Sequence, residues 1–152
     1  MGILERLERD MIEAAKSRDS VRLGAIRFAR SELVNRRIAL GRDLEDDDVI
    51  EVLARIAKRH RESIEQFESA ARQDLVAKET NELAVVESYL PEKLSESEIA
   101  DLIEAAIGET GAAGPRDVGR VMGVVMPRVK GRADGNAVKS QVLSRLSRAG
   151  ED

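Results

Sequence analysis

The chain has no cysteine and no tryptophan, a single histidine (His60), and three other aromatic residues, Phe28, Phe67 and Tyr89. Without cysteine, disulfides, thiolate metal centres and cysteine nucleophiles are excluded. One histidine severely limits acid–base and nucleophilic schemes. The scarcity of aromatics leaves the core to Leu, Ile, Val and Ala, which favours helices over sheets. No run approaches the ~20 apolar residues needed to span a bilayer. The first residues, MGILERLERDM, alternate charged and apolar positions and lack the continuous apolar stretch of a secretory signal. A cytoplasmic protein with no membrane partner is expected.

What is present is charge and helix-forming residues. Of the 152 residues 42% are hydrophobic and 36% charged, the balance of a globular chain with a core rather than a disordered one. The net charge of -4 conceals an asymmetry: residues 116–148 hold eight basic and two acidic residues, whereas residues 1–115 sum to -8. Opposed halves of this kind point to an anionic partner for the basic one.

Helical periodicity runs through the chain. Ile3, Leu7, Met11 and Ala14 mark a first helix over residues 3–16, and Asp19 or Ser20 is placed to cap a second. That helix carries Leu23, Ile26, Ala29, Leu33 and Leu40 and ends at Gly41, a left-handed cap. Residues 44–71 form the longest pattern, with Val49, Leu53, Ile56, His60, Ile64, Phe67 and Ala71 on one stripe. The acid run Glu45 to Asp48 opens it, where the helix dipole favours negative charge, so capping is preferred to metal binding.

Asp74 is positioned to cap a fourth helix, which Pro91 stops. Ser95 and Glu98 form a capping box for a fifth, Pro115 suits the first turn of a sixth, and Asp134 or Gly135 starts a seventh. No segment alternates as a strand does. The fold expected is all-α, in two helical modules, residues 1–92 and 93–152.

The stretch Gly114 to Gly135, GPRDVGRVMGVVMPRVKGRADG, is where glycine and basic residues concentrate. Gly114 to Gly119 has the glycine spacing of a phosphate-binding loop, but Arg120 and Val121 follow where Lys and Ser or Thr belong, so nucleotide binding is rejected. Gly119 and Gly123 are expected to let another helix approach closely. Pro127 removes a helical hydrogen bond, at ~3 kcal/mol in an ordinary interior. It is expected to bend or end the helix and swing Arg128, Lys130 and Arg132 outward.

Arg116, Arg120 and Lys139 complete a candidate phosphate-binding cluster, whose binding would depend on salt and little on base sequence. The alternative is an ordinary solvated basic face. Arg55, Lys58, Arg59 and Arg61 are read as such a face, because Glu51, Glu62 and Glu65 stand at pairing distance along the helix. His60, on an apolar stripe between Ile56 and Ile64, is read as a structural histidine hydrogen-bonded at a helix interface; metal ligation there would need carboxylates converging on it, and the sequence supplies no recognisable spacing for them. No metal and no cofactor are expected.

Two stretches carry a family resemblance. ESIEQFESAARQDLVAKETNELAVVESYLP, Glu62 to Pro91, resembles the signature of the YqeY-like proteins. DVGRVMGVVMPRVKGRADGNAVKSQV, Asp117 to Val142, resembles the motif these share with the tail domain of GatB, a component of the tRNA-dependent amidotransferase. The resemblance implies an N-terminal helical bundle followed by a three-helix domain. In the amidotransferase that tail helps to hold the tRNA body, and a similar module is appended to some glutaminyl-tRNA synthetases.

Carried over by motif, Arg128, Lys130, Gly131, Arg132, Ala133, Asp134 and Gly135 would form a tRNA-facing corner or its scaffold. Catalysis does not carry over, since neither the ATP-dependent domain nor the Ser-Ser-Lys arrangement that releases ammonia has a counterpart here. The function implied is a non-catalytic tRNA-binding or amidotransferase-associated accessory, with aminoacyl-tRNA synthetase machinery as a further partner class. A protein-interaction module without RNA binding is the alternative. A carbon–nitrogen ligase with glutamine as amido-N donor is what the family label alone suggests, and a shared fold does not transfer a reaction.

Overall fold

The computed structural model describes residues 2–151; Met1 and Asp152, which fall within the two expected modules, lie outside the described residues. Among these residues the secondary structure is seven α-helices and one 3₁₀ turn, with no strand. The chain divides into two units, Met1–Pro91 and Glu92–Asp152.

The first unit contains α1 (Ile3–Ser17), α2 (Ser20–Leu40), α3 (Asp46–Ser69) and α4 (Gln73–Glu87). Its boundaries follow local chemistry. The Asp19 carboxylate accepts the Arg22 N–H at 3.1 Å and so caps α2, while Gly41, at φ +68°, closes it. The acid run does cap α3: Asp48 accepts the Glu45 N–H at 2.8 Å and pairs with Arg42 at 2.7 Å. The Arg42 hydrogen bond, followed by that from Glu45, holds the Asp48 carboxyl down at about 2.

Asp74 departs from its expected place. α4 starts at Gln73, so Asp74 is inside the first turn, where Arg72 holds it at 3.1 Å and its charge still complements the dipole. Leu7, Ile26, Leu33, Val49, Leu53, Ile56 and Val86 fill the core. Burying each such side chain contributes about 1.5–3 kcal/mol.

One polar pair sits inside this core. Asp10, 5% exposed, accepts a hydrogen bond from the Tyr89 hydroxyl at 2.6 Å. Arg9 and Arg22 approach the same carboxylate at 3.1 and 3.5 Å. Asp10 stands three residues after Leu7 and four before Ala14, both buried, so it shares their face of α1 although the apolar stripe of the sequence passes through Met11 instead. Nothing in the sequence marks its partner, 79 residues away.

The second unit contains α5 (Glu96–Thr110), the 3₁₀ turn Pro115–Asp117, α6 (Val118–Val129) and α7 (Gly135–Glu151). The capping box forms as expected: Ser95 Oγ accepts the Glu98 N–H at 3.1 Å, and Glu98 accepts the Ser95 N–H at 2.9 Å. Val121, Val125 and Val129 on α6 and Val138, Val142 and Leu146 on α7 are fully buried, each set at four-residue spacing, against Ile103 and Ala106 of α5. This core is aliphatic throughout.

Candidate nucleic-acid interface

The corner between α6 and α7 is built on a tight turn over Val129 to Arg132. Lys130 has φ −52° and ψ 121°, Gly131 has φ +72°, and the Arg132 N–H donates to the Val129 carbonyl at 2.8 Å. These are the features of a type II turn, whose third residue needs positive φ and is therefore glycine. Pro127 lies in the last turn of α6, which continues only to Val129. Asp134 precedes α7, and its carbonyl accepts the Val138 N–H at 3.0 Å. Gly135 packs closely: a Cβ there would stand 3.3 Å from Cε of Met126.

The six candidate cations are not equivalent. The Arg132 Nε donates to the Glu92 carbonyl at 2.9 Å, and the Arg132 carbonyl accepts the Leu94 N–H at 2.9 Å. Arg132 thus ties the lead-in to α5 onto the turn. Arg128 contacts both carboxylate oxygens of Glu109, at 3.1 and 2.9 Å. Arg120 pairs with Asp117 at 3.0 Å, and Asp117 also accepts the Ala113 N–H at 2.9 Å. The Ala113 hydrogen bond first, and Arg120 after it, hold Asp117 below its ordinary value. Arg116 and Lys139 are exposed and have no ion pair among the described residues. Lys130 is exposed on the turn.

Acidic residues offset the basic segment. Residues 92–152 hold nine basic and ten acidic residues, a net of −1, and α5 supplies Glu104 to Arg145 as well as Glu109 to Arg128. The cationic character of the unit is therefore local, confined to the side chains that α5 does not reach.

Gly119 and Gly123 face solvent, and a Cβ on either meets nothing within 4 Å. No helix of the described structure uses the space they leave. With Arg120 and Pro127 they form the solvent face of α6, opposite Val121, Val125 and Val129. A glycine inside a helix costs about 1 kcal/mol relative to alanine. Here internal packing gives nothing in return.

His60 lies at the α3–α4 interface, 13% exposed, with Nδ1 2.6 Å from an oxygen of Glu79 and 3.9 Å from one of Glu82. It is a hydrogen-bonded interface histidine, as its stripe suggests. The two carboxylates come from a different helix, and no spacing around His60 announces them.

Known proteins resemble the chain along most of its length. A Pyrenophora tritici-repentis protein named "Altered inheritance of mitochondria protein 41, mitochondrial" is 35% identical over 133 residues, covering 86% of this chain and 73% of that protein. Proteins of the same name from Kluyveromyces lactis and Saccharomyces cerevisiae (strain YJM789) are 32% and 29% identical, over 55% and 61% of this chain. The chain spans 45% and 51% of these last two, about half their length.

These relatives overturn the expectation of a cytoplasmic protein, since each is named as mitochondrial. That expectation rests on the lack of an apolar segment, and no described helix is long and apolar enough to cross a membrane. Mitochondrial import uses amphipathic, arginine-rich leaders rather than apolar ones, so that lack does not bear on this compartment. The model of the YqeY-like protein family matches residues 4–146, from α1 into α7, and the chain belongs to that family.

Proposed function

We propose that the second unit binds structured RNA of the tRNA class through the solvent face of α6 and the cations beside it. The protein then acts as a non-catalytic tRNA-binding or amidotransferase-associated accessory. The observation that carries this reading is the pair of exposed glycines, Gly119 and Gly123, next to Arg116 and Arg120. Local sequence rules are broken mostly where function requires it. A glycine face lets a sugar–phosphate backbone come close to the helix, and flanking guanidinium groups then reach phosphate oxygens.

The motif shared with the amidotransferase tail supplies the class of RNA. The described residues of this unit include no aromatic side chain for base stacking, which favours a folded RNA read by shape over a single strand. Titration with labelled tRNA at low salt tests the reading, and no binding there contradicts it.

The second reading is a protein-interaction module. The same small face of α6 would accept a partner helix, and an acidic partner would meet the same cations. A complex that survives nuclease treatment and is lost in Gly123→Leu, while tRNA binding is absent, favours this reading over the first.

A further inference from the structure

We propose that His60, Glu79 and Glu82 form a binding site for a first-row divalent transition-metal ion. The three side chains converge from two helices of the first unit. Glu79 and Glu82, three residues apart, share one face of α4, and His60 reaches them from α3. One ligand atom from each lies within 4.8 Å of the other two. All three are half-buried, with side chains 13%, 20% and 25% exposed.

Charge is what calls for a cation. Two carboxylates share one imidazole, and no Lys or Arg among the described residues pairs with either of them. A neutral imidazole leaves two negative charges in one partly dry notch, and an imidazolium offsets only one. Like charges this close to each other and to an apolar core are costly. A divalent ion cancels both.

The donor set selects the class of ion. One imidazole nitrogen and two carboxylate oxygens, without thiolate, suit Zn²⁺, Mn²⁺, Fe²⁺, Co²⁺ or Ni²⁺. Ca²⁺ and Mg²⁺ prefer all-oxygen shells. The geometry needs little adjustment. With metal–ligand bonds of about 2.0–2.1 Å, ligands of a tetrahedral ion stand about 3.3 Å apart. The Glu79 oxygen, now 2.6 Å from Nδ1, would move out by about 0.7 Å to reach that spacing, and that of Glu82, at 3.9 Å, would move in by about 0.6 Å. Both are rotations of flexible side chains on fixed helices. Three protein ligands leave the fourth position to water or to a further ligand.

Calorimetric titration of the full chain with Zn²⁺ in a non-chelating buffer tests the site. Saturable binding of one ion per chain is expected, weakened at least about tenfold in each of His60→Gln, Glu79→Gln and Glu82→Gln. It should be unchanged in Glu13→Gln, an exposed acid on α1. Because His60 is the only histidine, its imidazole nitrogens give an unambiguous NMR signal in the unmutated protein. Zn²⁺ should shift the Nδ1 resonance in proportion to the calorimetric saturation. No saturable binding, binding that survives all three substitutions, or a His60 resonance that stays in place would each overturn the proposal.

Discussion

Arg132 and Glu92 are joined by a hydrogen bond of 2.9 Å from the guanidinium Nε to the backbone carbonyl. Together with the Leu94 N–H on the Arg132 carbonyl, this makes the most conspicuous cation of the turn a fastener within its own unit. Arg132→Ala is expected to lower stability by about 1 kcal/mol, the net worth of a lost hydrogen bond. Arg116→Ala and Lys139→Ala should stay within about 0.5 kcal/mol of the parent, as expected of exposed residues with no ion pair among the described residues. Urea denaturation of the three variants checks this. Any loss of RNA binding in Arg132→Ala must be read against its stability.

Two glycines of the same stretch should respond in opposite directions. Gly131 sits at φ +72°, where a side chain is strained, so Gly131→Ala should destabilise by about 1–2 kcal/mol. Gly123 lies in a helix with open space at the Cβ position, so Gly123→Ala should stabilise by about 0.5–1 kcal/mol. Thermal melts of both variants decide this. If Gly123→Ala raises the melting temperature yet a larger side chain there abolishes RNA binding, the glycine is kept for contact rather than for folding.

The Asp10–Tyr89 pair makes the first unit sensitive to pH at both extremes. The Tyr89 hydrogen bond, helped by Arg9 and Arg22 against the effect of burial, holds Asp10 below 3.8. A depressed carboxyl contributes stability above its unfolded pKa, and that contribution is lost as pH falls below 3.8 and through the folded value. Burial, then the bond to Asp10, pushes Tyr89 from 10.0 up to about 12. The neutral phenol therefore contributes stability below 10.0 that is lost as pH rises towards about 12. Tyr89→Phe should remove the alkaline loss and weaken the acid one. Denaturation curves from pH 2 to 12 would show both.

Features set by neighbours along the chain are legible in the sequence. The Ser95–Glu98 box, the left-handed Gly41 and the acids opening α3 depend on residues within one helical turn, so their chemistry is written locally. Pairs set by tertiary packing are not legible in this way. Asp10 with Tyr89, His60 with Glu79, and Arg128 with Glu109 join residues 79, 19 and 19 apart. For the candidate interface this matters most. Arg116, Arg120, Arg128, Lys130, Arg132 and Lys139 look alike as charges along a chain. Packing ties Arg132 to Glu92 and Arg128 to Glu109, and leaves Arg116 and Lys139 exposed without ion pairs among the described residues.

The salt dependence of tRNA binding tests the central proposal most directly. Each phosphate contact contributes about 0.7–0.9 to the slope of log K against log salt. The proposal predicts binding at low salt that weakens as salt rises. It also predicts that the triple variant Arg116→Ala, Arg120→Ala, Lys139→Ala, folded as the parent is, loses about 2 or more from that slope. A triple variant that binds tRNA with the parent's affinity and slope, or a parent chain that does not bind tRNA at low salt, would contradict it.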